Sequence, residues 1–246
     1  MVGWRRIGPH PAIAAWAQAA HPLAVAALAA APDPLRCGGT WAVGLDLLPN
    51  AADGSVAGTA LPWDVLGLAR EPLHRAQLSA VYPRYPQPEA QETAAAFRFR
   101  LRRDAAHLDG LLAIGPDKRR KVHEPHGWIL GLPLTDCDSG AAPLVVWSGS
   151  HLIMRAALSA ALRGLPPEIW GEVDVTETYA AARARVFETC ERVELPGRVG
   201  EAVLLHRLLV HGVAPWAEGA KAAPEGRIVA YFRPRVGSVE EWLQQD

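Results

Sequence analysis

Residues 107–112 read His107-Leu108-Asp109-Gly110-Leu111-Leu112. On a β-strand, positions i and i+2 point to the same face, so His107 and Asp109 would present an imidazole and a carboxylate side by side. Far downstream, His211 sits in the apolar run Leu208-Leu209-Val210-His211-Gly212, a strand pattern with a turn after it. Two histidines and one carboxylate on one side of a metal leave positions open for substrate and O₂, the donor set of non-heme Fe(II) oxygenases. Joining segments so far apart in sequence requires a sheet. A His-x-Asp triplet alone is weak, since a solvated strand face gives the same pattern, and a lone His in an apolar run is more often a satisfied core residue. Their order, followed by Arg227, carries the reading.

Arg227 heads the strand-like run Arg227-Ile-Val-Ala-Tyr-Phe232. A charge in that setting costs free energy unless paired. A guanidinium keeps its charge when buried and offers a planar fork to a carboxylate, so Arg227 is a candidate anchor for an anionic co-substrate such as 2-oxoglutarate.

Outward from these residues, Phe97-Arg-Phe-Arg-Leu-Arg102 alternates strictly and reads as a strand, with His107 to Leu112 continuing the sheet. Residues 116–125 read as a charged loop. Further strands are expected at Thr40–Leu48, Trp128–Leu134, Pro143–Trp147, Glu201–Leu205 and Leu208–Val213. Residues 152–189 read as a helical insert broken at Gly164 to Pro167, and residues 64–80 as helix. Residues 1–36 read as helical, with the Ala-rich run split at His21-Pro22. The expected fold is mainly β with flanking helices (α+β), a two-sheet jelly roll of the cupin type. The chain reads as a single domain, 1–246: an N-terminal helical region, 1–96, packed on a β core, 97–236, that carries the insert.

Composition narrows the functional classes. Half of the 246 residues are hydrophobic and the formal net charge is −1, which is a globular balance without an electrostatic footprint for nucleic acid. The three cysteines, Cys37, Cys137 and Cys190, form no metal-binding or disulfide pattern, as in a reducing compartment. Arg5 and Arg6 precede an apolar stretch, but Pro9, Pro11, Gln18, His21 and Pro22 interrupt it, so no secretory signal and no membrane span are expected. A cytoplasmic protein acting on a small molecule is the expectation.

At this point the sequence resembles the phytanoyl-CoA dioxygenase family of Fe(II)/2-oxoglutarate oxygenases over roughly residues 97–235. The resemblance lies in His107-Leu-Asp109, in Ser139-Gly-Ala-Ala-Pro-Leu-Val-Val-Trp-Ser-Gly-Ser-His151, in His211-Gly-Val-Ala-Pro215, and in Arg227 leading the last strand. It implies a double-stranded β-helix, with His107, Asp109 and His211 as iron ligands, Arg227 as the 2-oxoglutarate anchor and O₂ as oxidant. The chain departs from the family pattern at Ser148, Val213 and Trp216; the latter two bear on 2-oxoglutarate binding more than on the metal.

His126, Trp128 and Arg100 are weaker candidates for substrate contact. His126 sits in His123-Glu-Pro-His126, which lacks the spacing of a helical metal motif and reads as a rim loop. Trp128 reads first as core, and Arg100 first as a solvated sheet face. Two rival functions remain at this stage: a metal-dependent cupin without oxygen chemistry (an isomerase or hydrolase), and a non-catalytic binding protein with a relict pocket.

Overall fold

The structure, a computed structural model, describes residues 2–31, 35–44 and 46–244. Positions 32–34 of the expected helical region and 45 of the expected first strand lie outside them. Two antiparallel sheets form the centre. The larger has the order β1 (Trp4–Ile7), β9 (Ala202–His206), β6 (Trp128–Pro133), β11 (Arg227–Phe232), β3 (Gln77–Val81), β2 (Trp41–Gly44). The smaller has the order β10 (His211–Val213), β7 (Leu144–Ser148), β8 (Glu191–Leu195). A bridge between His107 and His211 adds the ligand segment to its edge. From β3 onward the chain passes back and forth between the sheets. It visits the large sheet at β3, β6, β9 and β11, and the small one at 107, β7, β8 and β10.

Alternation along each strand builds three apolar layers. The inner faces meet through Ile129, Leu205 and Tyr231 of the large sheet and Leu144, Val146 and Leu195 of the small one. The outer face of the large sheet (Leu78, Leu130, Leu132, Ile228, Phe232) packs under α1 (Pro11–Ala29), whose Ile13, Trp16, Ala17, Ala20 and Ala24 are fully buried. Trp16 meets Phe232 edge-on, with centroids 5.8 Å apart; each such ring contributes about 1.5–3 kcal/mol by burial. The outer face of the small sheet (Val145, Trp147) packs under α4 (Ser150–Leu162) and α5 (Thr176–Thr189).

Several sequence expectations are overturned. Residues 97–102 lie not in a strand but in α3 (Ala94–Arg102). The Thr93 hydroxyl caps the helix at Ala96 N–H, and three alanines start it, so local propensity outweighs a six-residue alternation. Spaced two apart, Phe97, Phe99 and Leu101 spread around the helix, and none of its residues is buried. The expected helix over 64–80 shrinks to α2 (Trp63–Leu66), closed by Gly67 in the left-handed region at φ 63°, and is followed by β3. The charged loop at 116–125 contains β5 (Arg119–Val122), hairpinned with β4 (Leu111–Ile114) as a separate two-stranded sheet, so residues 107–112 do not continue the central sheet as a strand: only His107 bridges to it, and a turn at Asp109-Gly110 redirects the chain. The N-terminal region supplies β1, β2 and β3 to the large sheet and is therefore not simply helical.

Nor is the Ala-rich run split. α1 is one helix of 19 residues with Pro22 inside it, long and apolar enough to cross a membrane by length and composition. The cost of an internal proline, about 3 kcal/mol, is offset by the Ala17, Ala20 and Ala24 contacts with the sheet beneath.

Candidate metal centre

His107 and His211 face each other across the edge of the small sheet. Each backbone N–H donates to the other's carbonyl, at 2.8 Å from His107 and 3.1 Å from His211. Gly212 allows this closeness: a Cβ there would fall 2.1 Å from the Asp104 carbonyl oxygen. The two imidazole centroids are 4.6 Å apart.

The ring nitrogens are sorted by the backbone. His107 Nδ1 lies 3.1 Å from the Ala105 carbonyl oxygen and His211 Nδ1 lies 2.9 Å from that of Leu209. A carbonyl only accepts, so each Nδ1 carries a proton; His211 Nε2 keeps its lone pair for a metal, and His107 Nε2, which faces the Asp109 carboxylate, would give up its proton to one. Asp109 Oδ1 sits 3.2 Å from His107 Nε2 and 3.9 Å from His211 Nε2. The donors of the three residues lie within 4.8 Å of one another. Ligands about 2.1 Å from a first-row ion stand about 3.0–3.4 Å apart. The Asp109–His107 spacing already fits one ion and the wider pairs must close by about 0.5 Å or more; their type, two imidazoles and a carboxylate, suits Fe(II).

Arg233 completes the site. Its Nη1 donates to Asp109 Oδ2 at 3.0 Å. Burial raises the Asp109 carboxyl, but the His107 hydrogen bond and the charges of His211, His107 and Arg233 hold it well below the usual carboxylate range. At His107 desolvation lowers the basicity and the Asp109 hydrogen bond raises it; the second effect prevails. Burial pushes His211 down to about 4, so the ring is neutral and ready to ligate near pH 7.

The ligands open onto a cavity of about 110 Å³ between the sheets, walled by Trp41, Gln77, Ile129, Val213, Tyr231 and Arg233. A second, smaller cavity of about 30 Å³ contains Arg227, Thr135 and Val229. Leu144 and Tyr231 wall both. Arg227, Val229, Tyr231 and Arg233 follow one another at alternate positions of β11 and its continuation, so all four point between the sheets. Arg227 is 6% exposed, and its Nη1 has no hydrogen-bond partner among the described residues. A buried guanidinium nitrogen without a partner is costly and marks a place for an anion.

Thus His107, Asp109 and His211 come together, with Arg227 in the adjoining cavity. The three weaker candidates do not line either space. Arg100 is held by both Glu92 oxygens, at 2.9 and 2.5 Å, and reaches Cys37 Sγ and the Gln87 carbonyl. Trp128 lies on the outer face of the large sheet, edge-on to Trp63, and donates to Glu71 at 2.9 Å. His126 is buried in a bridge with Arg235; burial, then the charge of Arg233, lowers it to about 4. Sequence reasoning missed Arg233 and Gln77. Extending the β11 alternation past Phe232 would have found the first; the second was hidden by the helix assigned to 64–80.

No protein-family model matches the chain, and no curated protein matches it. Among solved structures it is similar to SnoK, a non-heme alpha-ketoglutarate-dependent carbocyclase from nogalamycin biosynthesis, at 14% identity and TM-score 0.48 over 95% of this chain and 80% of that one. It is similar to AviO1 from Streptomyces viridochromogenes Tue57 at 16% identity and TM-score 0.42, over 96% and 93% of the two chains. EctD from S. alaskensis, solved with 2-oxoglutarate and 5-hydroxyectoine, gives 14% identity and TM-score 0.43 over 95% and 72%. At these values the likeness carries nothing about chemistry, which has to come from the site's own atoms.

Proposed function

We propose that the protein is an Fe(II)- and 2-oxoglutarate-dependent dioxygenase of the phytanoyl-CoA dioxygenase type, built on a double-stranded β-helix and hydroxylating a small molecule in the cytoplasm. The observation that carries the reading is the convergence of His107 Nε2, His211 Nε2 and Asp109 Oδ1 on one point, with both Nδ1 atoms tied to backbone carbonyls. Arg227 separates this reading from a metal-dependent cupin without oxygen chemistry, which has no use for a buried guanidinium nitrogen without a partner beside the metal cavity.

In this reading His107, Asp109 and His211 hold the iron on one side, leaving the cavity side for co-substrate and O₂. Arg227 binds the far carboxylate of 2-oxoglutarate, which passes between Leu144 and Tyr231. Arg233 fixes Asp109 by one oxygen and keeps the other for the metal. The apolar walls at Ile129, Leu144 and Val213 exclude water. Bound iron and 2-oxoglutarate would supply the oxidising chemistry, in which O₂ is consumed, succinate and CO₂ leave, and a C–H bond is hydroxylated.

The test is succinate formation from 2-oxoglutarate by Fe(II)-loaded protein in air, with and without candidate substrates. Succinate that depends on Fe(II) and disappears in His211→Ala supports the proposal. Metal binding without any succinate, coupled or uncoupled, supports the cupin without oxygen chemistry; no metal binding supports a relict pocket.

A further inference from the structure

The metal cavity carries polar groups that neither iron nor 2-oxoglutarate uses. Gln77, the first residue of β3, lines it with Oε1 buried and without a partner among the described residues. Arg233 lines it with Nη1 committed to Asp109 and Nε buried, likewise without a partner among the described residues. Gln77 stands opposite Tyr231 in the β3–β11 register, so Arg233, two residues on, is its diagonal neighbour on the inner face. Buried polar atoms without partners are rare in folded proteins, and two together in one cavity wall mark a place where a ligand completes the hydrogen bonding.

The charges agree. The walls of the two cavities hold Arg227 and Arg233 against Asp109; Arg6 and Glu201, 3.0 Å apart, cancel each other. A divalent ion and a dianionic co-substrate also cancel, leaving one positive charge. An uncompensated charge in a low-dielectric cavity is costly, and a monoanion removes it. Around these groups the wall is apolar, with Trp41, Val43, Ile129 and Val213.

Building on the dioxygenase reading, we propose that Gln77 and Arg233 recognise the primary substrate, and that it is a small monoanionic carboxylic acid with a hydroxyl donor beside the carboxylate and an apolar body. The carboxylate faces Arg233, the donor meets Gln77 Oε1, and the apolar part lies against Trp41 and Val213.

The test uses Co(II)-loaded protein with 2-oxoglutarate under anaerobic conditions, so that nothing turns over. Co(II) and 2-oxoglutarate are titrated first, through the visible absorption of the metal. Three probes follow: 2-hydroxyisovalerate, isovalerate (no donor) and 2-hydroxyisovaleramide (no carboxylate). 2-Hydroxyisovalerate should perturb the spectrum saturably, with isovalerate and the amide about tenfold weaker or worse. Gln77→Leu should remove the preference for the hydroxy acid over isovalerate, and Arg233→Gln should abolish the preference for the hydroxy acid over its amide. The first titration is repeated in each variant, so a damaged metal site is seen separately from lost recognition. The amide binding as well as the hydroxy acid, no binding by 2-hydroxyisovalerate, or both variants retaining the wild-type order would overturn the proposal. Failure of 2-oxoglutarate to bind wild type would overturn the dioxygenase reading, visibly and before any probe is added.

Discussion

The Arg233 guanidinium donates to Asp109 Oδ2 at 3.0 Å, while Oδ1 of the same carboxylate faces His107 Nε2 at 3.2 Å. The two oxygens therefore have separate surroundings: one is fixed by a cation, and the other is free to serve the metal of the proposed site. Partners of this kind orient a ligand and tune its basicity, and their loss typically costs about 10–100-fold in metal affinity. Arg233→Ala is expected to weaken Co(II) binding by that order, and Arg233→Lys, which keeps the charge but not the fork, by less. Calorimetric titration under anaerobic conditions measures both; wild-type affinity in the alanine variant would remove Arg233 from the metal site.

Gly212 is expected to be irreplaceable. A methyl group 2.1 Å from the Asp104 carbonyl must push β10 away from the ligand segment. Gly212→Ala should cost on the order of 3 kcal/mol and disturb the His107–His211 bridge. Denaturant unfolding checks the first effect and Co(II) titration the second; a stable variant with normal metal binding would show that the backbone yields at no cost.

Arg227 is expected to trade stability for function. Its buried Nη1 is unpaired, so Arg227→Met should leave the protein without co-substrate as stable as wild type or more so. The same substitution should raise the 2-oxoglutarate requirement by at least about tenfold and leave Co(II) affinity in place. A loss of stability with unchanged 2-oxoglutarate dependence would assign Arg227 a structural role instead.

The metal-free protein should lose stability in weak acid. His211 and His126 both stand at about 4 in the folded state, below the ordinary histidine value of 6.5. The unfolded chain therefore takes up protons first, and stability present above pH 6.5 falls as pH drops toward 4. Each ring contributes up to about 3 kcal/mol. Asp109, held below the usual range, keeps its contribution through this window and loses it only at lower pH, while His107, raised in the folded state, adds stability as pH falls and offsets part of the loss. Urea midpoints at pH 7.5, 5.5 and 4.5 follow the fall, and His126→Gln should reduce it. A flat profile that His126→Gln leaves unchanged would mean that the His126 ring is not buried neutral.

The candidate ligands were legible as residue types and not as a strand: His107 only bridges to His211 and Asp109 lies in a turn, while His211 announces itself by polarity inside an apolar run. β11 was legible to the residue, from Arg227 to Phe232, as a buried strand with a charge at its head. The far wall of the site was not. Gln77 lies on β3, whose place between β2 and β11 is fixed by long-range pairing and not by the propensities of residues 64–80. Arg100 went the opposite way. Alternation with Phe97, Phe99 and Leu101 suggested a strand, but a capped, alanine-led helix turned it toward Glu92 and Cys37. Short periodicities lose to helix capping at the surface, while tertiary pairing decides the interior.

The account depends first on three side chains holding one ion. Anaerobic Fe(II) titration of wild type and of His107→Ala, Asp109→Ala and His211→Ala, followed by calorimetry, tests this directly. One ion per chain in wild type and none at comparable affinity in each variant is the predicted result. Wild-type affinity in all three variants would contradict it.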